Sequence, residues 1–143
     1  MFQVSVEETF AAGHALRGYR GKCENVHGHN YKVRVTLEGP ALGSIGLLYD
    51  FKDLKDAIHG TIRKLDHQFL NEVAPFDALN PSAENLAKYF YEEVTRLLGE
   101  NAPKGNPSAP CAVKRVTVLE TDTTTASYFA DGTSEPRPRG SGG

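Results

Sequence analysis

Three of the five histidines in this 143-residue chain are placed to do chemistry: His14, and the pair His27 and His29 in the run Cys23-Glu24-Asn25-Val26-His27-Gly28-His29. An H-x-H pair in an extended chain puts both imidazoles on one face, because strand side chains alternate with period two. A third histidine near the end of a neighbouring strand completes a three-imidazole cup. Three neutral imidazoles suit Zn²⁺ and leave its fourth position open, the arrangement of catalytic rather than structural sites. Burying two imidazoles on one face beside Tyr31 and Val33 is costly without a shared partner, and a metal supplies one.

Cys23 stands four residues before the pair, in a segment that also holds Arg17, Arg20 and Lys22. Nearby cations favour the thiolate and make Cys23 a candidate base or nucleophile. The same cations are candidates for holding an anionic substrate group. Cys111 lacks such company and reads as structural. Asp66-His67 has two readings: a solvated helix terminus, or a carboxylate that orients an imidazole for proton transfer. Glu120 shares a face with Val116 and Val118, so its carboxylate needs a donor. A ligand with adjacent N–H groups, an intramolecular partner or water at a strand end would each serve. His59, between Lys55 and Arg63 in helical spacing, reads as a surface residue.

These residues must be positioned by surrounding elements. Residues 2–12 alternate, with Phe2, Val4, Val6 and Phe10 opposite Gln3, Ser5, Glu7 and Thr9, which predicts a half-buried strand. Residues 13–26 are rich in Gly and basic side chains and read as a loop. Alternation returns from His27 to Leu37 and ends at Gly39-Pro40. Asp50 caps a helix expected over 51–68, on the spacing of Phe51, Leu54, Ile58, Ile62 and Leu65. After a loop over 71–81, Ser82 caps a second helix with Leu86, Phe90, Val94 and Leu97 as its stripe, stopped by Gly99. Residues 100–110 form a connection, Val113–Thr121 a third strand and Ala126–Ala130 a fourth. Residues 131–143 read as a disordered tail or a remnant outside the single domain at 1–130.

The order strand, strand, helix, helix, strand, strand predicts an α+β domain: a four-stranded antiparallel sheet with both helices on its apolar face. The opposite face (Gln3, Ser5, Lys32, Arg34, Thr36, Arg115, Thr117) is too polar for a second dry core and must meet water. Such a sheet has two open edges, which invite pairing between subunits into a closed ring. A formal charge of −2 gives no general pull toward nucleic acid or anionic membranes. No apolar run is long enough to span a bilayer. The N-terminus enters a strand pattern rather than a signal peptide, and two cysteines make no disulfide framework, so the expected location is the cytoplasm.

Taken together, the motifs resemble the 6-pyruvoyltetrahydropterin synthase family over residues 2–129, most closely its bacterial 6-carboxy-5,6,7,8-tetrahydropterin synthase branch. The resemblance is carried by Phe10-Ala11-Ala12-Gly13-His14, Cys23-x-x-x-His27-Gly28-His29, Leu65-Asp66-His67-Gln68-Phe69-Leu70-Asn71, Asn80-Pro81-Ser82-Ala83-Glu84-Asn85 and Glu120-Thr121. It implies the tunnelling fold, an oligomeric barrel, with a homohexamer as the family expectation. It implies Zn²⁺ on His14, His27 and His29, Cys23 as the proton-abstracting base, and Asp66 and His67 assisting proton transfer from a neighbouring subunit. Glu120 matches the acidic residue that anchors the pterin and also enters the proton relay in some descriptions; Ser82 falls in the substrate-binding motif. The implied reaction converts 7,8-dihydroneopterin triphosphate to 6-carboxytetrahydropterin, acetaldehyde and triphosphate, in queuosine biosynthesis. The alternatives are the pyruvoyl-forming sister enzyme, a non-catalytic zinc or pterin-binding module, and another pterin enzyme on the same fold. Gly13 replaces a commoner alanine, and Ser82 a commoner threonine whose hydroxyl it keeps.

Overall fold

The computed structural model describes residues 1–18, 25–100 and 109–130. Strand β1 (Phe2–His14) pairs antiparallel with β2 (His27–Gly39) along their whole length, from Phe2 opposite Gly39 to His14 opposite His27. Helix α1 (Phe51–Ile62) follows, then a two-residue strand β3 (Gln68–Phe69) and a 3-10 turn (Leu70–Glu72). Helix α2 (Ala83–Glu100) leads to β4 (Ala112–Thr121) and β5 (Thr124–Tyr128). The sheet order is β3-β1-β2-β4-β5.

Even-numbered β1 residues and odd-numbered β2 residues face the helices. Val6, Phe10, Tyr31, Val33, Val35 and Leu37 are buried there, against Leu54 and Ile58 of α1 and Leu86, Phe90 and Val94 of α2. Phe10 stacks on Tyr31 at 5.0 Å between ring centroids and meets Phe90 at 5.6 Å. Both caps form as expected: Asp50 accepts from the Lys52 amide at 2.8 Å, and Ser82 Oγ accepts from the Asn85 amide at 3.1 Å. The opposite face is polar throughout, with Gln3 donating to Glu38, Ser5 bonded to Thr36, Glu7 paired with Arg34 and Lys32, and Thr117 bonded to Ser127.

Among the described residues the sheet departs from expectation in having five strands rather than four, and it is open. The fifth, β3, runs parallel to β1, pairing Gln68 with Ala12 and Phe69 with Gly13. It exists because α1 stops at Ile62, not at residue 68. Successive tight turns (Lys64 amide to Thr61 carbonyl, Leu65 amide to Ile62 carbonyl) then swing the chain back to the sheet. Leu65 is fully buried from within this turn, so it continues the apolar spacing without continuing the helix. Asp66 and His67 therefore lie beyond the helix, where the His67 amide donates to the Ala11 carbonyl at 2.6 Å. Smaller shifts are a β1 that extends through His14, an α2 that passes Gly99, and a last strand over Thr124–Tyr128. No described helix is long and apolar enough to cross a membrane.

Candidate metal centre and its surroundings

The antiparallel register sets His14 at the end of β1 directly opposite His27 on β2, with His29 two residues further along β2. Their rings meet edge to face, with centroids 4.5 to 5.1 Å apart. Glu120 joins from β4, one residue past the Leu119–Lys32 pair, at a register shift between Leu119 and Thr121. Such bulges re-aim a side chain. One ligand atom from each of the four residues lies within 4.8 Å of all the others.

Hydrogen bonds at the far side of the rings fix what the near side offers. His14 Nδ1 lies 2.7 Å from the Pro81 carbonyl and 3.1 Å from the Tyr31 hydroxyl, and His27 Nδ1 lies 2.8 Å from the Asn25 carbonyl. A carbonyl only accepts, so both Nδ1 atoms carry hydrogen, and in a neutral ring Nε2 then presents a lone pair. These two Nε2 atoms face each other at 3.0 Å. Two lone pairs at that distance repel unless a cation lies between them. His29 Nε2 is 2.8 Å from Glu120 Oε1 but without the alignment of a hydrogen bond, which leaves Nε2 buried and unsatisfied. Burial holds His29 below the usual histidine range, favouring its neutral form, while the Glu120 carboxylate opposes the shift.

The donor set could hold a metal ion. Two ligands at about 2.1 Å from one tetrahedral centre are about 3.4 Å apart. The spacings here are 2.8 Å (His29 to Glu120), 3.0 Å (His14 to His27) and 3.5 Å (His14 to Glu120). Carbonyl partners on the outer nitrogens are the usual support for metal-binding histidines. His14 is 1% exposed, so its ring is the deepest of the three. Tyr31 beneath it is fully buried, and that burial pushes its hydroxyl above the ordinary tyrosine range.

A cavity of about 490 Å³ runs along Gly13 and Gly28, with His29 and Val26 on its wall and His67, Gln68 and Phe69 across it. Asp66 is tied to β1 by the Ala11 amide, which donates to its Oδ1 at 3.0 Å, and the same oxygen lies 3.1 Å from His67 Nδ1. The Ala11 bond is the main cause that holds the Asp66 carboxyl below its usual range, with His67 adding to it. His67 has φ of 60°, in the left-handed region that side chains other than glycine rarely occupy. Its ring is 81% exposed. Asp66 and His67 thus form a carboxylate–imidazole pair in the exposed turn between α1 and β3.

Other site residues sort clearly. Ser82 is the cap of α2, and its preceding carbonyl (Pro81) holds His14. Arg17, expected near an anionic group, instead donates to the carbonyls of Asn71, Phe76 and Leu79. His59 pairs with Glu8 at 3.2 Å on the surface. Cys23, Arg20 and Lys22 lie outside the described residues. Glu120 as a fourth donor was not foreseen; the alternation put it on the correct face, but its place depends on register across three strands.

A family model described as 6-pyruvoyl tetrahydropterin synthase matches residues 3–131. The chain belongs to that family. It is accordingly an enzyme of the pterin synthase group. It is 34% identical over 119 residues to the "Putative 6-carboxy-5,6,7,8-tetrahydropterin synthase" of Archaeoglobus fulgidus, covering 83% of this chain and 88% of that one. It is 39% identical to the 6-carboxy-5,6,7,8-tetrahydropterin synthase of Haemophilus influenzae, covering 69% and 70%. Among solved structures it is similar to the Caenorhabditis elegans 6-pyruvoyl tetrahydropterin synthase, with a TM-score of 0.76, 27% identity, and 90% and 95% of the two chains covered. The tunnelling fold expected from the motifs is therefore the fold observed.

Proposed function

We propose that this chain is a zinc-dependent lyase that converts 7,8-dihydroneopterin triphosphate to 6-carboxy-5,6,7,8-tetrahydropterin, acetaldehyde and triphosphate, in queuosine and related 7-deazapurine biosynthesis. The observation that carries the reading is the convergence of His14, His27 and His29, with the lone pairs of His14 and His27 turned inward, in a chain whose relatives include 6-carboxytetrahydropterin synthases. His14, His27 and His29 would hold Zn²⁺, which supplies Lewis acidity toward substrate oxygens when bound. Cys23 takes a carbon-bound proton. Asp66 orients His67, so that the imidazole can pass a proton. Glu120 faces both the histidine cluster and a small pocket with Glu84, Thr124 and Thr125. From there its carboxylate can accept two parallel hydrogen bonds from the guanidine-like edge of a pterin. Ser82 caps the helix beside that pocket and contributes to substrate binding.

The protein acts in the cytoplasm as a homo-oligomer, a trimer or hexamer with active sites shared between subunits. Support comes from the sheet's open edge: among the described residues β3 covers only Ala12 and Gly13 of β1, leaving the rest of that strand without a ladder partner on one side. Asp66 and His67 sit on that outer edge, where they can serve a neighbouring copy.

The sister reaction, which stops at the pyruvoyl product, is favoured by the 38% identity to the 6-pyruvoyl tetrahydrobiopterin synthase of Drosophila melanogaster. Incubating metal-loaded protein with 7,8-dihydroneopterin triphosphate separates the two. Acetaldehyde with triphosphate is the expected result, and triphosphate without acetaldehyde would favour the sister. Cys23→Ala is expected to keep its zinc and lose turnover; unchanged turnover would remove Cys23 as the base.

A further inference from the structure

The two family motifs at 65–71 and 80–85 each carry an asparagine that the proposed chemistry does not use. Both clasp the main chain that follows His14. Asn71 Oδ1 accepts from the Ala15 amide at 2.9 Å, and its Nδ2 donates to the Ala15 carbonyl at 2.7 Å. Asn80 repeats the arrangement two residues on: Oδ1 accepts from the Arg17 amide at 2.9 Å, and Nδ2 donates to the Arg17 carbonyl at 2.9 Å. Each side chain thus imitates a strand neighbour at the point where β1 has run out of one. The Asn80 carbonyl is in turn held by Asn85 Nδ2 at 2.9 Å, and the next carbonyl, of Pro81, is the one that His14 Nδ1 reaches. Arg17 closes the unit by donating to three carbonyls of the same 71–79 loop.

Two things a metal ligand needs are therefore set by this loop. The backbone position of His14 is fixed on its C-terminal side by the Ala15 and Arg17 clasps. The ring orientation of His14 is set by Pro81, whose position follows from Asn80, together with the Tyr31 hydroxyl. We propose that Asn71 and Asn80 are positioning residues for the metal centre, holding the His14 ring so that Nε2 points into the cluster. The inference rests on the metal-site reading and goes beyond it by naming what tunes the site from outside. Outer partners of metal-binding histidines typically change affinity by 10- to 100-fold when removed.

The test is zinc affinity by chelator competition, well below the unfolding temperature, together with the visible absorption of the Co²⁺-loaded protein. Asn71→Ala and Asn80→Ala are expected to bind zinc at least tenfold more weakly and to shift the Co²⁺ bands. Val94→Ala, which opens the helix-packed core instead, is expected to lose stability and keep wild-type affinity. If the alanine variants do not fold, Asn71→Asp and Asn80→Asp give the same readout, because each keeps the acceptor for the amide and loses the donor to the carbonyl. Folded variants within twofold of wild-type affinity and with unchanged Co²⁺ bands would overturn the proposal while leaving the metal site standing. Wild-type protein that binds neither metal would bring down the metal-site reading itself.

Discussion

Loading the cluster with zinc should stabilise the folded chain by an amount that can be worked out in advance. A ligand that binds only the native state at a hundredfold excess over its Kd adds about 2.7 kcal/mol. Unfolding entropy near the midpoint is about 2.1 cal/mol/K per residue. For a chain of 143 residues this comes to about 0.3 kcal/mol/K, so Tm should rise by about 9 °C. His27→Ala tests the assignment cleanly, because His27 is only part-buried and its loss leaves the helix-facing core intact. An inner ligand should be worth at least the hundredfold that outer partners reach. At the same free zinc the stabilisation then falls to about 0.4 kcal/mol, or 1–2 °C. Differential scanning calorimetry of chelator-treated and zinc-loaded protein, wild type beside variant, reads both shifts. A wild-type rise below 2 °C, or a full rise that survives in His27→Ala, would refute the reasoning.

Asp66→Asn is expected to keep the fold, since an amide oxygen can still accept from the Ala11 amide, while turnover drops because His67 loses its carboxylate. Because folding lowers the Asp66 pKa, its stabilising contribution is present above the unfolded value of about 3.9 and is lost as pH falls through the lower folded value. The Tm difference between wild type and Asp66→Asn should therefore close at acid pH, and a gap that widens there would contradict the assignment. Phe90→Ala, at a fully buried ring against Phe10 and Tyr89, should cost about 3–5 kcal/mol in urea unfolding; a loss under about 1 kcal/mol would show that the core is not packed as described. Burial raises the Cys111 thiol above the ordinary range, leaving less thiolate at pH 8. In Cys23→Ala, Cys111 should react with a disulfide reagent several-fold more slowly than in the urea-unfolded chain, and equal rates would count against the burial argument.

The histidine face was legible from sequence because period two is a rigid rule: once β2 is a strand, His27, His29, Tyr31 and Val33 must share a side. The pairing of His14 with His27 was legible only in outline, since it depends on the hairpin register. Glu120 was legible as a candidate on the inner face, but its meeting with the histidines was not, because it depends on register across a further strand with an irregularity at that point. The end of α1 was misread through Leu65, whose burial satisfies the helical spacing from a turn. Strand β3 has two residues, too few for any alternation to show. The clasping asparagines gave no signal as partners, because a side chain that bonds a remote backbone leaves no periodic trace. The motifs that contain them marked the positions without saying what they hold.

With His67 in the proton-passing role proposed above, its left-handed backbone sets durability against chemistry at a single residue. A side chain other than glycine costs about 1–3 kcal/mol in that conformation, and glycine would give back roughly 0.5–1 kcal/mol through its freer unfolded chain. His67→Gly should thus yield a slightly sturdier protein that has discarded an imidazole. A screen for thermal robustness alone would drift toward that exchange and away from a working enzyme.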